Sequence, residues 1–277
     1  MKERGFNRLS EFISAKFGIK MPATKKTMLE SRLLKRVHIL GLSSFEEYCD
    51  YLFSADGMAQ EIVSFIDIIT THKTDFFREP DHFDYLMETA LPQLTKMSGY
   101  DNRKKLTLWS AGCSTGEEAY TLAMVLSEYA AMHSEDRIRF SILATDISQG
   151  VLDIARYGIY EEDRIAPIPM GLKKKYLLRS KDSVKSLVRI IPELRSLIKF
   201  RRLNLIENSF GIHEPIDIIF CRNVVIYFNR NTLEELINRF CRHLSPDGYL
   251  FMGHSETLNG FNFPLVQVAP TIYRKAK

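Results

Sequence analysis

The chain has 277 residues, of which 45% are hydrophobic and 26% are charged, the composition of a soluble globular protein with one large domain or two ordinary ones. Its apolar runs are too short and interrupted to span a bilayer, and its N-terminus lacks the apolar core of a secretory signal, so we expect a cytoplasmic protein without membrane insertion. A net charge of +4 is compatible with an acidic partner and does not demand nucleic acid.

The N-terminal region carries helical patterns only. Leu29, Leu33 and Val37 recur at the spacing of one helix face. The predicted helices cover residues 10–17, 24–40, 44–53 and 58–69. Because no strand signal interrupts them, residues 1–73 are predicted to form an all-helical domain.

From residue 74 to residue 277 the pattern changes to strands that alternate with helices. The predicted strands are 105–110, 139–145, 198–203, 216–221 and 249–253, with a closing hairpin at 265–268 and 271–273. The predicted helices are 81–97, 117–132, 148–156 and 233–244, and a turn is predicted at 245–248. This alternation is typical of an α/β fold with a mostly parallel sheet covered on both faces. Residues of about 164–198 do not fit it and predict a small inserted antiparallel element.

The loop SAGCSTGEE at residues 110–118 follows the first predicted strand. It lacks the lysine of a P-loop and the GxGxxG of a dinucleotide fingerprint. Its carboxylates, Glu117 and Glu118, would repel a pyrophosphate and suit a ligand with an ammonium group. Asp146, at the end of the next strand, is placed to bind both hydroxyls of a ribose. S-adenosyl-L-methionine meets these demands, although Glu117 could merely favour the helix dipole and Asp146 could be a turn residue.

Six segments in this order resemble the chemoreceptor glutamate methyltransferases of the CheR family. They are TTHKTDFFREPDHF (70–83), WSAGCSTGEEAYTLAM (109–124), TDIS (145–148), LNL (203–205), FCRNVVIYF (220–228) and PDGYLFMGHSE (246–256). The resemblance covers nearly the whole chain. It implies an all-helical N-terminal domain joined to a Rossmann-like methyltransferase domain with a small β-subdomain.

The resemblance also implies roles for particular residues. The implied S-adenosyl-L-methionine ligands are His72, Thr74, Arg78, Glu117, Asp146, Asn204, Leu205, Arg222 and Asn223. The family usually has asparagine where this chain has His72, which puts that contact in doubt. Arg78 and Tyr227 are the expected catalytic residues and would orient the incoming carboxylate. Arg78 could instead be a surface ion-pair partner, and Tyr227 could belong to the core.

An ionised glutamate is already a nucleophile, so methyl transfer to it needs alignment and no general base. This accounts for the lack of a His–Asp or Ser–His constellation in the sequence. Cys113 and Cys221 are interpreted as small buried side chains. Neither the cysteines nor the seven histidines show metal-ligand spacing, so no metal is expected. The expected product is S-adenosyl-L-homocysteine.

The second predicted helix carries a basic stripe. Lys25, Arg32 and Arg36 fall within about 40° of one another on a helical wheel. They could simply be a solvated face. The resemblance implies that they dock the acidic methylation helices of chemoreceptors, in a protein that acts as a monomer. Some relatives also tether a receptor pentapeptide through a glycine-containing loop. The corresponding stretch, 179–185, is short and has no glycine, so pentapeptide-independent action is expected.

Three alternatives remain open at this stage. A nucleic-acid methyltransferase usually carries [DN]PP[YFW] after the fourth strand, where this chain has CRNVVIYF at 221–228. A non-catalytic module that senses S-adenosyl-L-methionine would not need the Arg222–Asn223 pair or the intact linker. Methylation of a small molecule would leave the basic helical domain without a function.

Overall fold

The computed structural model describes residues 1–96, 105–134, 138–181 and 186–276. Its first helices are α1 (Glu3–Phe17), α2 (Lys26–Ile39), α3 (Phe45–Leu52), α4 (Ala55–Gln60) and α5 (Ile62–Ile69). They pack around a core of their own that includes Leu9, Leu33 and Phe65. The helix predicted at 58–69 corresponds to parts of two helices, α4 and α5, which are separated at Glu61. Glu61 is 1% exposed.

The remainder of the described chain alternates helices and strands. The strands are β1 (Lys105–Ala111), β2 (Arg139–Asp146), β3 (Ile159–Glu161), β4 (Leu177–Arg179), β5 (Leu187–Ile190), β6 (Ile198–Arg202), β7 (Ile216–Cys221), β8 (Leu244–Met252), β9 (Leu265–Ala269) and β10 (Ile272–Lys275). The helices are α6 (Asp81–Tyr85), α7 (Leu91–Thr95), α8 (Glu117–Met132), α9 (Gln149–Tyr157), α10 (Met170–Tyr176), α11 (Pro192–Ser196) and α12 (Arg230–His243). A π-helical segment, Leu86–Ala90, joins α6 to α7. These three segments correspond to the predicted helix 81–97, whose last residue lies outside the described residues.

The large sheet has the order β6–β2–β1–β7–β8–β10–β9. Its first five strands are parallel, and β10 runs antiparallel to both of its neighbours. Leu108 belongs to the core on one face of the sheet, and the adjacent Trp109 belongs to the core on the other. Both faces are therefore covered, which confirms the predicted α/β fold. The strand order reverses between β1 and β7, where such sheets bind ligands at the carboxyl ends of their strands.

Several sequence-based boundaries differ from the structure. The first helix begins at Glu3 instead of residue 10, and α12 begins at Arg230 instead of residue 233. The predicted turn 245–248 lies inside β8, where the register with β7 shifts between Ile216 and Ile218 and Asp247 has a φ of 60°. The Pro-Asp-Gly run therefore makes an irregular start to a strand instead of a reversal. The small antiparallel sheet, in the order β3–β5–β4, begins at Ile159, before the predicted start near 164. Residues 182–185 of the stretch 179–185 lie outside the described residues.

The helical domain contacts the α/β domain through the segment that follows α1. Gly18 ends this helix with a φ of 69°, and a Cβ there would lie 2.8 Å from Ile206. The chain then turns so that Ile19 forms an antiparallel bridge with Phe228 and Lys20 donates its N–H to the carbonyl oxygen of Tyr227 at 2.8 Å. In the described part of the chain, no helix is both long and apolar enough to span a membrane.

Candidate functional site

An open cleft lies at the carboxyl ends of β1, β2 and β7, and the segment after α1 forms one wall. Its empty volume is about 1220 Å³, counted with the solvent at its mouth. Among the residues that line it are Lys25, His72, Thr74, Arg78, Asp146, Asn204, Leu205, Arg222, Asn223 and Tyr227. Sequence-predicted residues that are not in the lining are Glu117, Arg32 and Arg36.

The glycine loop after β1 is held against the neighbouring strand ends. Gly112 donates its N–H to the carbonyl oxygen of Thr145 at 2.8 Å. The φ angles of Gly112 and Gly116 are 86° and 97°, in the left-handed region that glycine adopts without strain. A Cβ at Gly112 would lie 2.4 Å from Val224, and one at Gly116 would lie 2.9 Å from Ala155. The glycines are thus required by close packing of the protein on itself, as well as leaving the backbone open to a ligand.

Asp146 presents a fixed carboxylate to the cleft. Its Oδ2 accepts the N–H of Ser114 at 2.9 Å, and its Oδ1 accepts the N–H of Ser148 at 3.0 Å. Burial raises the pKa of this carboxyl, and the backbone hydrogen bonds partly offset that rise. Each oxygen keeps a further lone pair, so the group can accept the two hydroxyls of a ribose without rearrangement.

Glu117 does not face the cleft, which corrects the prediction for this residue. It is 1% exposed. Its Oε1 accepts a hydrogen bond from Arg164 at 2.5 Å, and its Oε2 accepts the hydroxyl hydrogen of Thr115 at 2.6 Å. Consecutive helix residues point about 100° apart, so only one of the two glutamates can line the cleft. That residue is Glu118.

Glu118 is tied to the arginine that follows β7. Its Oε1 accepts the hydroxyl hydrogen of Ser110 at 2.7 Å, and its Oε2 lies 3.6 Å from Nε of Arg222. Burial raises the pKa of Glu118, and the nearby guanidinium opposes that rise. The same Nε lies 3.3 Å from Glu79. Arg222 therefore lies between two carboxylates, with its side chain 2% exposed.

The linker between the domains closes one side of the cleft. The hydroxyl of Ser114 donates to the carbonyl oxygen of His72 at 3.1 Å, while Nε2 of His72 lies 2.8 Å from the hydroxyl of Thr70. Arg164 donates to the carbonyl oxygen of Thr74 at 3.0 Å. The His72 ring is thus engaged inside the linker, and its backbone carbonyl is what meets the glycine loop.

The opposite side of the cleft is formed by Asn204, Leu205 and Tyr227. Nδ2 of Asn204 donates to the carbonyl oxygen of Lys16 at 2.8 Å, which fixes its amide against α1. Leu205 is buried and 7% exposed, so it offers an apolar wall. Nζ of Lys25 lies 5.6 Å from the centroid of the Tyr227 ring, within the range of a cation–π contact.

The arginines of the basic stripe on α2 are largely engaged within their own domain. Arg32 donates to the carbonyl oxygens of Ile69 and Thr70, both at 3.1 Å. Arg36 donates to both carboxylate oxygens of Glu61, at 2.9 and 2.5 Å. The guanidinium of Arg32 thus binds the carbonyl groups at the carboxyl end of α5, and that of Arg36 pairs with a buried acid. The sequence could not show this because each partner lies at least 25 residues away.

Sequence reasoning missed Glu256, which is 3% exposed and lies beneath the cleft. Its carboxylate accepts backbone N–H groups of Asn223, Val225, Ile226 and Gly253. Glu256 lies in a segment that resembles the family, and that was the only signal available. Its loop partners are 30 to 33 residues away, beyond the range of any local motif.

One group of side chains outside this set has the composition of a metal site. Ligand atoms of Glu79, His82 and His254 lie within 4.8 Å of one another. The guanidinium of Arg222, 3.3 Å from Oε2 of Glu79, would repel a cation there. Burial, together with Arg222, lowers the pKa of His82 to about 4. We therefore interpret the cluster as a neutral His82 next to Glu79, whose carboxylate pairs with Arg222.

The architecture and the cleft define a class, that of methyltransferases that bind S-adenosyl-L-methionine, and comparison with known proteins agrees. Residues 4–70 match the family described as CheR methyltransferase, all-alpha domain, and residues 72–273 match CheR methyltransferase, SAM binding domain. The chain belongs to the CheR methyltransferase family.

Relatives span almost the whole chain. A chemotaxis protein methyltransferase of Borreliella burgdorferi is 42% identical, over 97% of this chain and 93% of its own length. Chemotaxis protein methyltransferase 2 of Pseudomonas aeruginosa is 38% identical, over 98% of this chain and 92% of its own. The chemotaxis protein methyltransferase of Escherichia coli is 34% identical, over 100% of this chain and 92% of its own length.

Proposed function

We propose that this protein transfers the methyl group of S-adenosyl-L-methionine to glutamate side chains of chemoreceptors and forms glutamate methyl esters. The observation that carries the proposal is that carboxylates and cationic side chains line the same cleft. Glu118 and Asp146 are among the residues that line it, and so are Lys25 and Arg78. The carboxylates suit a phosphate-free nucleoside with an ammonium group, and the cationic side chains suit an incoming carboxylate. The names of the relatives point to the same pathway.

The residues of the cleft fit the cofactor. Asp146 would accept the ribose hydroxyls, and Asn204 and Leu205 would frame the adenine. Glu118 takes the part first assigned to Glu117 and would meet the positive end of the cofactor. The proposed contacts with the methionine portion come from His72, Thr74, Arg78, Arg222 and Asn223. When bound, S-adenosyl-L-methionine supplies an electrophilic methyl group on a sulfonium, and S-adenosyl-L-homocysteine is the product.

The reaction requires positioning more than acid–base catalysis. A carboxylate oxygen forms a bond to the methyl carbon while the carbon–sulfur bond breaks, and the bonding electrons stay on sulfur. No proton moves, so the protein needs no general base. Arg78 and Tyr227 line the cleft and would hold the carboxylate in line with the methyl group. Alignment of this kind can supply several kcal/mol of rate enhancement.

The partner follows from the same charges. An acidic methylation helix would meet Lys25 at the cleft and Lys35, which is exposed on α2. Arg32, which is only partly buried, would add its charge to this surface, whereas the charge of Arg36 is paired with Glu61. We further propose a cytoplasmic monomer that acts without nucleic acid, without membrane insertion and without a receptor pentapeptide tether. Within it, residues 1–73 would contact the receptor, and residues 74–277 would carry out the chemistry without a bound metal.

A methylation assay tests the proposal. Purified protein is incubated with S-adenosyl-L-methionine labelled on the methyl group and with membranes that bear chemoreceptors. Label should enter the receptor and be released as methanol by mild base, because carboxyl methyl esters are base-labile. Alkali-stable label would contradict ester formation and favour another methylation chemistry. If the protein binds the cofactor and transfers no label to receptors from several species, a sensor without catalysis becomes the better interpretation.

A further inference from the structure

The loop that follows β7 carries three of the proposed site residues on little regular structure. We call residues 222–228 the acceptor loop; Arg222, Asn223 and Tyr227 all line the cleft from it. The β7–β8 pairing ends at Cys221 and Met252, just before this loop begins. Asn223 then has a φ of 60°, in the left-handed region that asparagine adopts more readily than most residues other than glycine. Beyond the 3₁₀ turn at Val225–Tyr227, contacts from elsewhere in the chain hold the conformation of this loop.

Glu256 supplies that hold. Its Oε2 accepts the N–H groups of Asn223 at 2.9 Å and Gly253 at 2.7 Å. Its Oε1 accepts the N–H groups of Val225 at 2.9 Å and Ile226 at 3.3 Å. The two oxygens of one carboxylate thus bind Gly253, directly after β8, and three backbone N–H groups of the acceptor loop.

The surroundings of Glu256 leave it no other role in the described structure. It is 3% exposed and is not among the residues that line the cleft, so it does not touch the ligands directly. Among the described residues it forms no ion pair with a lysine, arginine or histidine. A Cβ on Gly253 would lie 3.0 Å from its Oε2 and 2.7 Å from Nδ2 of Asn223. The carboxylate is enclosed by the backbone that it binds.

We propose that Glu256 is a positioning residue for methyl transfer, which acts through the acceptor loop on Tyr227 and Asn223. The inference rests on the proposed function for its chemistry and on the hydrogen bonds for its geometry. The carboxylate is required because it offers acceptors only. A glutamine would turn an NH₂ group towards two backbone N–H donors, and those donors would lose their partners. A shift of the loop by about 1 Å is enough to slow a reaction that depends on alignment by roughly 100-fold.

Steady-state kinetics of Glu256→Gln, Tyr227→Phe and the double variant test this role. Glu256→Gln should lower kcat by about 100-fold and raise the Kd for S-adenosyl-L-homocysteine by a smaller factor, since only Arg222 and Asn223 of the proposed cofactor contacts lie in the loop. The double variant should be little slower than the slower single variant, because both changes act through Tyr227. Glu234→Gln, on the exposed face of α12, is the matched control and should behave as wild type.

Two kinetic results would overturn the proposal. One is a kcat of Glu256→Gln within threefold of wild type. The other is a double variant whose loss equals the product of the two single losses, since independent effects would mean that Glu256 does not act through Tyr227.

Hydrogen exchange keeps the proposal testable if Glu256→Gln does not fold. Amides of the acceptor loop should exchange slowly in wild type, and Glu256→Asp, whose carboxylate is one methylene shorter, should speed up that segment alone. Fast exchange of residues 223–226 in wild type would rule out the hold. If wild type forms no base-labile ester, the proposed function fails, whereas the hold on the loop is still decided by exchange.

Discussion

Nη2 of Arg164 lies 2.5 Å from Oε1 of Glu117, a carboxylate that is almost fully buried. The same nitrogen lies 3.0 Å from the carbonyl oxygen of Thr74. The guanidinium therefore joins three parts of the chain: the segment after β3, the start of α8 and the linker. Burying Glu117 requires a partner of opposite charge, and that partner also fixes the linker over the cleft.

Arg164→Met should therefore weaken both the fold and the cofactor site. We expect the free energy of unfolding to fall by about 1–3 kcal/mol, because a buried acceptor loses its charged donor, and the Kd for S-adenosyl-L-homocysteine to rise severalfold. Urea unfolding and calorimetric titration measure the two effects. Arg179→Met is the control, since its ion pair with Glu162 is exposed on both sides and should contribute little. Equal effects of the two substitutions would show that the contacts of Arg164 with Glu117 and Thr74 have no special role in stability or cofactor binding.

The pairing of Arg36 with Glu61 leads to a second prediction. The side chain of Glu61 is 2% exposed and also accepts the hydroxyl hydrogen of Tyr48 at 3.0 Å. Arg36→Met should lower the free energy of unfolding by about 3 kcal/mol, because it leaves a buried carboxylate without its cation. Lys35→Met, at the neighbouring exposed position, should leave stability within about 0.5 kcal/mol and raise the KM for receptor. A stable Arg36→Met with a raised KM would restore the docking role of Arg36.

Tyr227 is predicted to affect turnover more than cofactor binding, whereas Arg78, which is also a proposed contact of the methionine portion, is predicted to affect both. Arg78→Ala and Tyr227→Phe should each lower kcat for receptor methylation by roughly 10- to 100-fold, since each removes a group that aligns the carboxylate. Single-turnover methylation and the Kd for S-adenosyl-L-homocysteine separate the two effects. Tyr157→Phe is the control for the tyrosine, as Tyr157 is 64% exposed. Near-normal turnover in both variants would remove these residues from the mechanism.

His82 should make the protein less stable in acid. Burial and Arg222 lower its pKa to about 4, whereas a histidine in an unfolded chain titrates near 6.5. Between those two pH values the unfolded state binds more protons than the folded state. The contribution of His82 to the free energy of unfolding is therefore fully present above about pH 6.5 and is lost as the pH falls towards 4. The expected loss from this group is roughly 2 kcal/mol between pH 7 and pH 5.

Urea midpoints at the two pH values test the His82 prediction. His82→Asn should reduce the difference between the midpoints at pH 7 and pH 5, whatever it does to stability at pH 7. His38→Asn, on the exposed face of α2, should leave that difference as it is in wild type. An unchanged difference in His82→Asn would assign the acid sensitivity to other groups.

The fold could be predicted from the sequence because its signals are local. Short apolar runs between helical segments predicted β1, β2 and β7, and the placement of Asp146 after β2 followed from the same pattern. Leu108 and Trp109 pack on opposite faces of the sheet, as a strand covered on both sides requires. The turn predicted at 245–248 lies in a bulge within β8: the flanking Leu244 and Tyr249 pair with Ile216 and Ile218 of β7, and the register passes over residues 245–248.

The site could be predicted only in part because much of it depends on distant contacts. Spacing along a loop does not tell which of two adjacent glutamates faces a ligand; this is decided by the position of Arg164, some 47 residues further on. The engagement of Arg36 with Glu61 and of Glu256 with the acceptor loop is equally non-local. Such pairs become visible only when the fold brings them together.

The two adjacent glutamates of α8 provide a matched comparison, and Glu118 is predicted to be the cofactor ligand. Glu118→Gln should raise the Kd for S-adenosyl-L-methionine by about 10-fold or more, because it removes a charged partner of the ligand. Its stability should change little, since Arg222 keeps a second carboxylate, that of Glu79, at 3.3 Å. Glu117→Gln should instead lower Tm, because Arg164 loses its charged partner, while the Kd changes less than about threefold. Calorimetric titration and thermal unfolding of both variants decide between them. The reverse assignment, with Glu117→Gln showing the larger change in Kd, would return the ligand role to Glu117.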